Sequence, residues 1–228
     1  MSGAPDYARL SAAASARYRA AGRFAEGFAR GKLRGDPVFA HLLGARLIPE
    51  GARLLDLGCG QGLLAALLAA AGAPRLAAYR GIELMARDVA RAHRALGPAC
   101  GVELGDIRRA GFGDADAVVI LDVLHYMAPE EQDDVLRRVR QALRRGGVLL
   151  LRVGDAAAGL PFRMSCWVDW TVALARGHGA TRFHCRSVAQ WRSALEALEF
   201  SVRTEPMSRG TPFANVLLCA HCKSPARP

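Results

Sequence analysis

The run Leu54-Leu55-Asp56-Leu57-Gly58-Cys59-Gly60-Gln61-Gly62 constrains this chain more than any other feature. A short apolar strand that meets three alternating glycines and then the helix-forming stretch Leu63 to Ala71 must turn sharply. The glycines let the backbone turn tightly and let a ligand approach the following helix N-terminus. Downstream the pattern alternates. Strands are predicted at Ala77 to Leu84, Cys100 to Leu104, Ala117 to Leu121 and Gly147 to Val153. Helices are predicted between them at Ala86 to Leu96 and Pro129 to Arg144. Such alternation implies a doubly wound, mostly parallel α/β sheet with helices on both faces.

The flanks read differently. Tyr7 to Arg34 is Ala/Arg-rich and helix-prone but carries glycines at 22, 27, 31 and 35, which are expected to interrupt it. Tyr18, Phe24 and Phe28 are candidates for its apolar stripe. Asp36-Pro37 starts a second helix, through about Arg46. After the fifth strand, residues 154–186 form a long irregular stretch holding Phe162, Trp167, Trp170 and Phe183. Ser187 is placed as the N-cap of a helix to Leu198, and Phe200 to Thr204 and Asn215 to Ala220 are the final strands.

Charge sharpens the division. The chain of 228 residues has formal net charge +10, with 29 arginines against two lysines. Residues 1–50 carry net +4 and 151–228 net +5, but the hundred residues between them only +1. An acidic partner would therefore meet the flanks. Part of the arginine excess is compositional background of an Ala/Arg-rich chain. The six cysteines do not read as a disulfide framework in a chain of this length without a signal-like N-terminus. Cys219-Ala220-His221-Cys222 has a zinc-like spacing, but no second Cys/His pair accompanies it, so no metal site is expected. No apolar run approaches the ~18 residues of a membrane span, and the cytoplasm is the expected location.

Four acids fall at strand ends in register with the glycine loop: Asp56, Glu83, Asp106 and Asp122. They would line the crevice where open α/β sheets bind ligands. Leu63 stands where a dinucleotide fingerprint wants its third glycine. Asp56 directly before the turn would repel a pyrophosphate and suits a cationic ligand. Glu83, 21 residues beyond Gly62, sits where a carboxylate accepts hydrogen bonds from a ribose diol.

Asp56-Leu57-Gly58-Cys59-Gly60-Gln61-Gly62, with Glu83, Gly105-Asp106-Ile107 and Leu121-Asp122-Val123-Leu124-His125-Tyr126, resembles the class I S-adenosylmethionine-dependent methyltransferases. Val148 to Val153 after Arg144-Arg145-Gly146-Gly147 resembles that family's fifth-strand motif. The resemblance covers about residues 50–153 and more loosely extends to 222. It implies a Rossmann-like sheet of seven strands, the last, within 215–222, antiparallel. It implies S-adenosyl-L-methionine as cofactor, with Asp56, Gly58, Cys59, Gly60 and Gln61 around its methionine part. Glu83 and Leu84 would serve the ribose side, Asp106 and Ile107 the adenine, and Asp122 the same crevice. Residues 1–49 then form basic helices on the acceptor side, 50–222 the methyltransferase domain with a lid at about 154–186, and 223–228 a tail.

A methyl acceptor that is a hydroxyl or phenol benefits from a base, and His125 is the expected one; its ordinary pKa suits neutral pH. Tyr18, Arg23, Tyr126, Phe162, Trp167 and Trp170 are the candidates for acceptor contact. The chain lacks the Asn/Asp-Pro-Pro-aromatic run by which enzymes methylating exocyclic amines resemble one another, which argues against nucleic acid. Tyr18 to Phe24, Gly31 to Pro37 and Gly210 to Val216 are similar to small bacterial methyltransferases of aryl-polyene and polyketide-like biosynthesis. That similarity implies a phenolic or aryl acceptor, small or tethered to an acidic acyl carrier protein. Two rivals stand beside it: an RNA methyltransferase, and a non-catalytic cofactor-binding protein on the same fold. The sequence is silent on the oligomeric state.

Overall fold

A computed structural model describes residues 6–72, 74–157, 183–208 and 214–223. Its strands form one seven-stranded sheet of order β3-β2-β1-β4-β5-β7-β6, with helices on both faces. The order reverses beside β1, which puts the strand-end crevice of a doubly wound sheet after β1. The chain divides into two compact units, Met1–Val119 and Ile120–Pro228.

The first unit opens with α1 (Tyr7–Ala16), a 3-10 turn (Arg17–Ala21), α2 (Arg23–Gly35) and α3 (Pro37–Gly44). Asp6 and Asp36 cap α1 and α3 with side-chain oxygens, and Pro37 sits in the first turn of α3, where its missing N–H is harmless. The expected interruption of α2 does not occur. The helix runs through Gly27 and Gly31, which cost it helix propensity but no hydrogen bond. Nor is Phe24 part of the apolar stripe. It is 68% exposed, and α2 buries Ala25, Ala29 and Leu33 instead. Phe24 stacks on Phe28 at 6.5 Å under the Arg91 guanidinium, which explains how an exposed phenyl ring is retained.

Strands β1 (Arg53–Leu57), β2 (Ala78–Glu83), β3 (Val102–Leu104) and β4 (Ala115–Leu121) follow, with α4 (Leu63–Ala71) and α5 (Ala86–Leu96) between them. β1–β2 and β2–β3 are parallel, with Asp56 beside Gly81 and Glu83 beside Leu104. β3 starts two residues later than expected because Gly101 turns at φ +75°. The core of this unit is aliphatic and follows the pattern read from sequence. Leu54, Leu55 and Leu57 on β1, Ile82 on β2, and Ala117, Val118 and Val119 on β4 are at most 2% exposed.

The second unit holds a 3-10 turn (Leu124–Tyr126), α6 (Pro129–Ala142), β5 (Leu143–Gly154), α7 (Val188–Ala197), β6 (Phe200–Pro206) and β7 (Asn215–Cys222). β7 lies antiparallel to both β5 and β6, as the family resemblance implies. Ser187 caps α7 in a capping box with Gln190. β5 begins at Leu143 rather than at the expected Gly147, so Arg144, Arg145 and Gly146 belong to the strand. Cys219 and Cys222 are buried on β7, and among the described residues no group of three His, Cys, Asp or Glu could hold a metal. Among them, too, no helix is long and apolar enough to cross a membrane.

Candidate functional site

The first unit builds the glycine loop. Gly58, Gly60 and Gly62 all take left-handed backbone conformations, at φ +73°, +57° and +73°, which a side chain would strain. The loop folds back on β2: the Gly58 N–H donates to the Ile82 carbonyl at 2.8 Å, and the Gly60 N–H to Glu83 Oε2 at 2.8 Å. Glu83 Oε1 accepts the Met85 N–H at 2.8 Å. The carboxylate is thus fixed through one bond per oxygen, and each oxygen retains acceptor capacity for a diol. Gly62 is the N-cap of α4 and offers no side chain to its first-turn N–H groups.

Asp56 lies near the end of β1 and is 4% exposed. Burial pushes its carboxyl up to about 7, against the Tyr79 hydroxyl, which donates to Asp56 Oδ2 at 2.8 Å and favours the ionised form. The nearby Glu83 carboxylate adds to the upward shift. A buried acid with this poise gains most from a cationic ligand.

Asp106 follows β3, but its carboxylate is engaged by Arg108, through Nε at 2.9 Å and Nη2 at 2.7 Å. That guanidinium holds it below the usual carboxylate range. Ile107 is buried, whereas Leu84 and Leu104 are 52% and 60% exposed at the ends of β2 and β3. Leu104, which the sequence reading does not single out, shares this exposure with Leu84. Cys59 and Gln61 lie in the loop, the latter 3% exposed. Tyr18, expected to touch an acceptor, is fully buried, and its hydroxyl donates to the Gln61 carbonyl at 2.7 Å. It props the glycine loop instead. Arg23 is exposed at the start of α2.

In the second unit Asp122 adopts φ +58° and is ion-paired with Arg152, which is 1% exposed. Its charge is therefore balanced by the buried Arg152 guanidinium. His125 packs against Tyr126 and Phe183, with ring centroids 4.2 and 5.4 Å away. Burial lowers its pKa to about 4, partly opposed by Asp122, so the ring is neutral at pH 7. The fully buried Gln132 ties this loop down: its Nε2 lies 3.0 Å from the Leu124 and Met127 carbonyls and 2.7 Å from that of His184. Sequence reasoning misses both Gln132 and Arg152, because their partners are set by the fold. Phe162, Trp167 and Trp170 lie outside the described residues.

An open α/β sheet with a glycine loop after β1, a carboxylate braced at the end of β2 and a buried acid before the turn defines a cofactor-binding domain of the doubly wound class. Residues 54–147 match the family described as Methyltransferase domain. Over these residues, which are less than half of the chain, the sequence is similar to methyltransferase domains. It is 34% identical over 115 residues to a carboxy-S-adenosyl-L-methionine synthase of Chromohalobacter salexigens, covering 48% of this chain and 43% of that protein. It is 33% identical over 123 residues to a ubiquinone biosynthesis O-methyltransferase of Xanthomonas axonopodis, covering 51% and 48%. The chain spans about half the length of these curated relatives. Among solved structures, the magnesium protoporphyrin IX methyltransferase of Synechocystis with bound SAH aligns at TM-score 0.61 and 24% identity, over 91% of this chain and 94% of that one. Human N-acetylserotonin methyltransferase in complex with SAM aligns at TM-score 0.62 and 15% identity, over 92% and 57%. The similarity to aryl-polyene enzymes has no counterpart among these relatives.

Proposed function

We propose that this protein transfers a methyl group from S-adenosylmethionine to a small aromatic acceptor. The observation that carries the reading is the Glu83 carboxylate, buried and braced by the Gly60 and Met85 N–H groups beside the buried acid Asp56. When bound, the cofactor supplies an electrophilic methyl group on a cationic sulfur. Asp56 opposes its positive charge, Glu83 accepts hydrogen bonds from its ribose, and Leu84 and Leu104 offer apolar surface to its flat base. Asp106 serves the adenine amino group once Arg108 shares its carboxylate.

His125, Tyr126 and Phe183 form an aromatic cluster suited to an aryl acceptor. A buried imidazole with pKa near 4 is a weak base at neutral pH, so we assign His125 to acceptor packing. The acceptor then reacts in ionised or intrinsically nucleophilic form. A second reading, chemistry that carboxylates the cofactor itself, is favoured by the 34% identical synthase.

The test is incubation of labelled cofactor with a panel of phenols, a phenolic acyl-carrier substrate and total RNA, with mass analysis of both acceptor and cofactor. Label in a small phenol supports the proposal. Label confined to RNA or to the carrier-bound substrate, a carboxylated cofactor, or no turnover overturns it. Glu83→Ala should abolish cofactor binding in calorimetry, and unchanged affinity would remove the site assignment.

A further inference from the structure

We propose that Tyr79 is a positioning residue for the cofactor: by donating its hydroxyl hydrogen bond to Asp56, it orients that carboxylate for a cationic ligand. The proposal rests on the cofactor reading above and adds to it a residue outside the glycine loop and outside every strand-end position.

The geometry is specific. Tyr79 lies on β2 four residues before Glu83, paired with Leu54, and its hydroxyl reaches Asp56 Oδ2 at 2.8 Å. The space for that hydroxyl is made by Gly81, which pairs with Asp56. A Cβ on Gly81 would lie 2.7 Å from Cys59 Sγ and 2.9 Å from the Tyr79 hydroxyl, closer than real contacts allow. The tyrosine ring packs with Cys59 and Cys100 against Val89, Ala92 and Val102, so its hydroxyl is aimed by the core rather than by solvent.

The titratable groups facing this pair are acidic or neutral. Asp56 meets Tyr79 and Glu83 from β2, and Cys59 from the loop. Tyr79 meets Asp56, Cys59 and, from the 3-10 turn, Tyr18. Burial raises the Cys59 thiol and both tyrosines, so all three keep their protons near neutral pH. Within this set the Tyr79 hydroxyl is what favours the Asp56 carboxylate, because a hydrogen bond to the charged form stabilises it. A ligand cation then finds a carboxylate already oriented and more readily ionised than burial alone would leave it, which reduces the reorganisation that binding requires.

The experiment is calorimetric titration of S-adenosylhomocysteine, which carries the amino-acid ammonium, into the wild type, Tyr79→Phe and Asp56→Asn across pH 6 to 8.5. The wild type should bind more tightly as pH rises through about 7. Tyr79→Phe should move that midpoint up by about one unit, leaving it about tenfold weaker at pH 6 and nearly equal to wild type at the top of the range. Asp56→Asn should bind weakly with no such dependence; it keeps the test decisive if Tyr79→Phe does not fold. A Tyr79→Phe deficit that is the same at every pH marks a merely structural role and overturns the proposal, as does an unshifted midpoint or a wild-type profile matching that of Asp56→Asn. Absence of wild-type binding at every pH instead removes the cofactor reading, and the proposal with it.

Discussion

Asp56→Asn should stabilise the protein while weakening its ligand site. Asp56 is 4% exposed, and its pKa rises from an ordinary 3.8 to about 7, chiefly through burial. Because the folded-state value lies above the unfolded-state value, the native protein binds the extra proton between about pH 4 and pH 7, and stability falls as pH rises through that window. A shift of about three units corresponds to about 4 kcal/mol at pH 8, with about 1.4 kcal/mol for each unit. Asparagine removes the ionisation and can still accept the Tyr79 hydrogen bond through its amide oxygen.

Urea unfolding of wild type and Asp56→Asn at pH 5, 6, 7 and 8 measures this directly. The variant should gain about 1.5 kcal/mol at pH 5, rising to about 4 kcal/mol at pH 8. Saturating S-adenosylhomocysteine, at about a hundredfold its dissociation constant, should then add about 2.7 kcal/mol to the wild type, and at the same concentration much less to the variant. A variant less stable than wild type at pH 8, or a stability difference that does not change with pH, would refute the reasoning, since either result means that burial does not disfavour the carboxylate.

Tyr18→Phe should destabilise the protein by about 1–3 kcal/mol in urea unfolding, because it strips the donor from a buried Gln61 carbonyl, and should weaken cofactor binding by loosening the glycine loop. Asp122→Asn, which tolerates the left-handed backbone, should cost about 3–5 kcal/mol by removing the charge paired with buried Arg152, and Asp122→Asn combined with Arg152→Met should recover part of that loss in a double-mutant cycle.

The contrast between Glu83 and Tyr79 shows where sequence reading succeeds and where it stops. Glu83 is legible because its position follows from the strand period and its distance from the glycine loop, both local quantities. Ser187 is legible as a cap for the same reason: its partner Gln190 is three residues away. Tyr79 offers no such signal. It is an ordinary strand aromatic until β1 and β2 pair and bring its hydroxyl to Asp56, 23 residues distant. Tyr18 reaches across 43 residues to Gln61, and Asp122 across 30 to Arg152. The last case is the most instructive, since Asp122 shares the strand-end position of Asp56 and Glu83 and the sequence groups it with them. What separates it is a buried arginine within the apolar stretch Val148 to Val153 of β5, a charge that requires a nearby counter-charge. Arg152 within Val148 to Val153 is therefore a local clue that an acid must pair with it, although only the pairing of strands could identify which acid answers it.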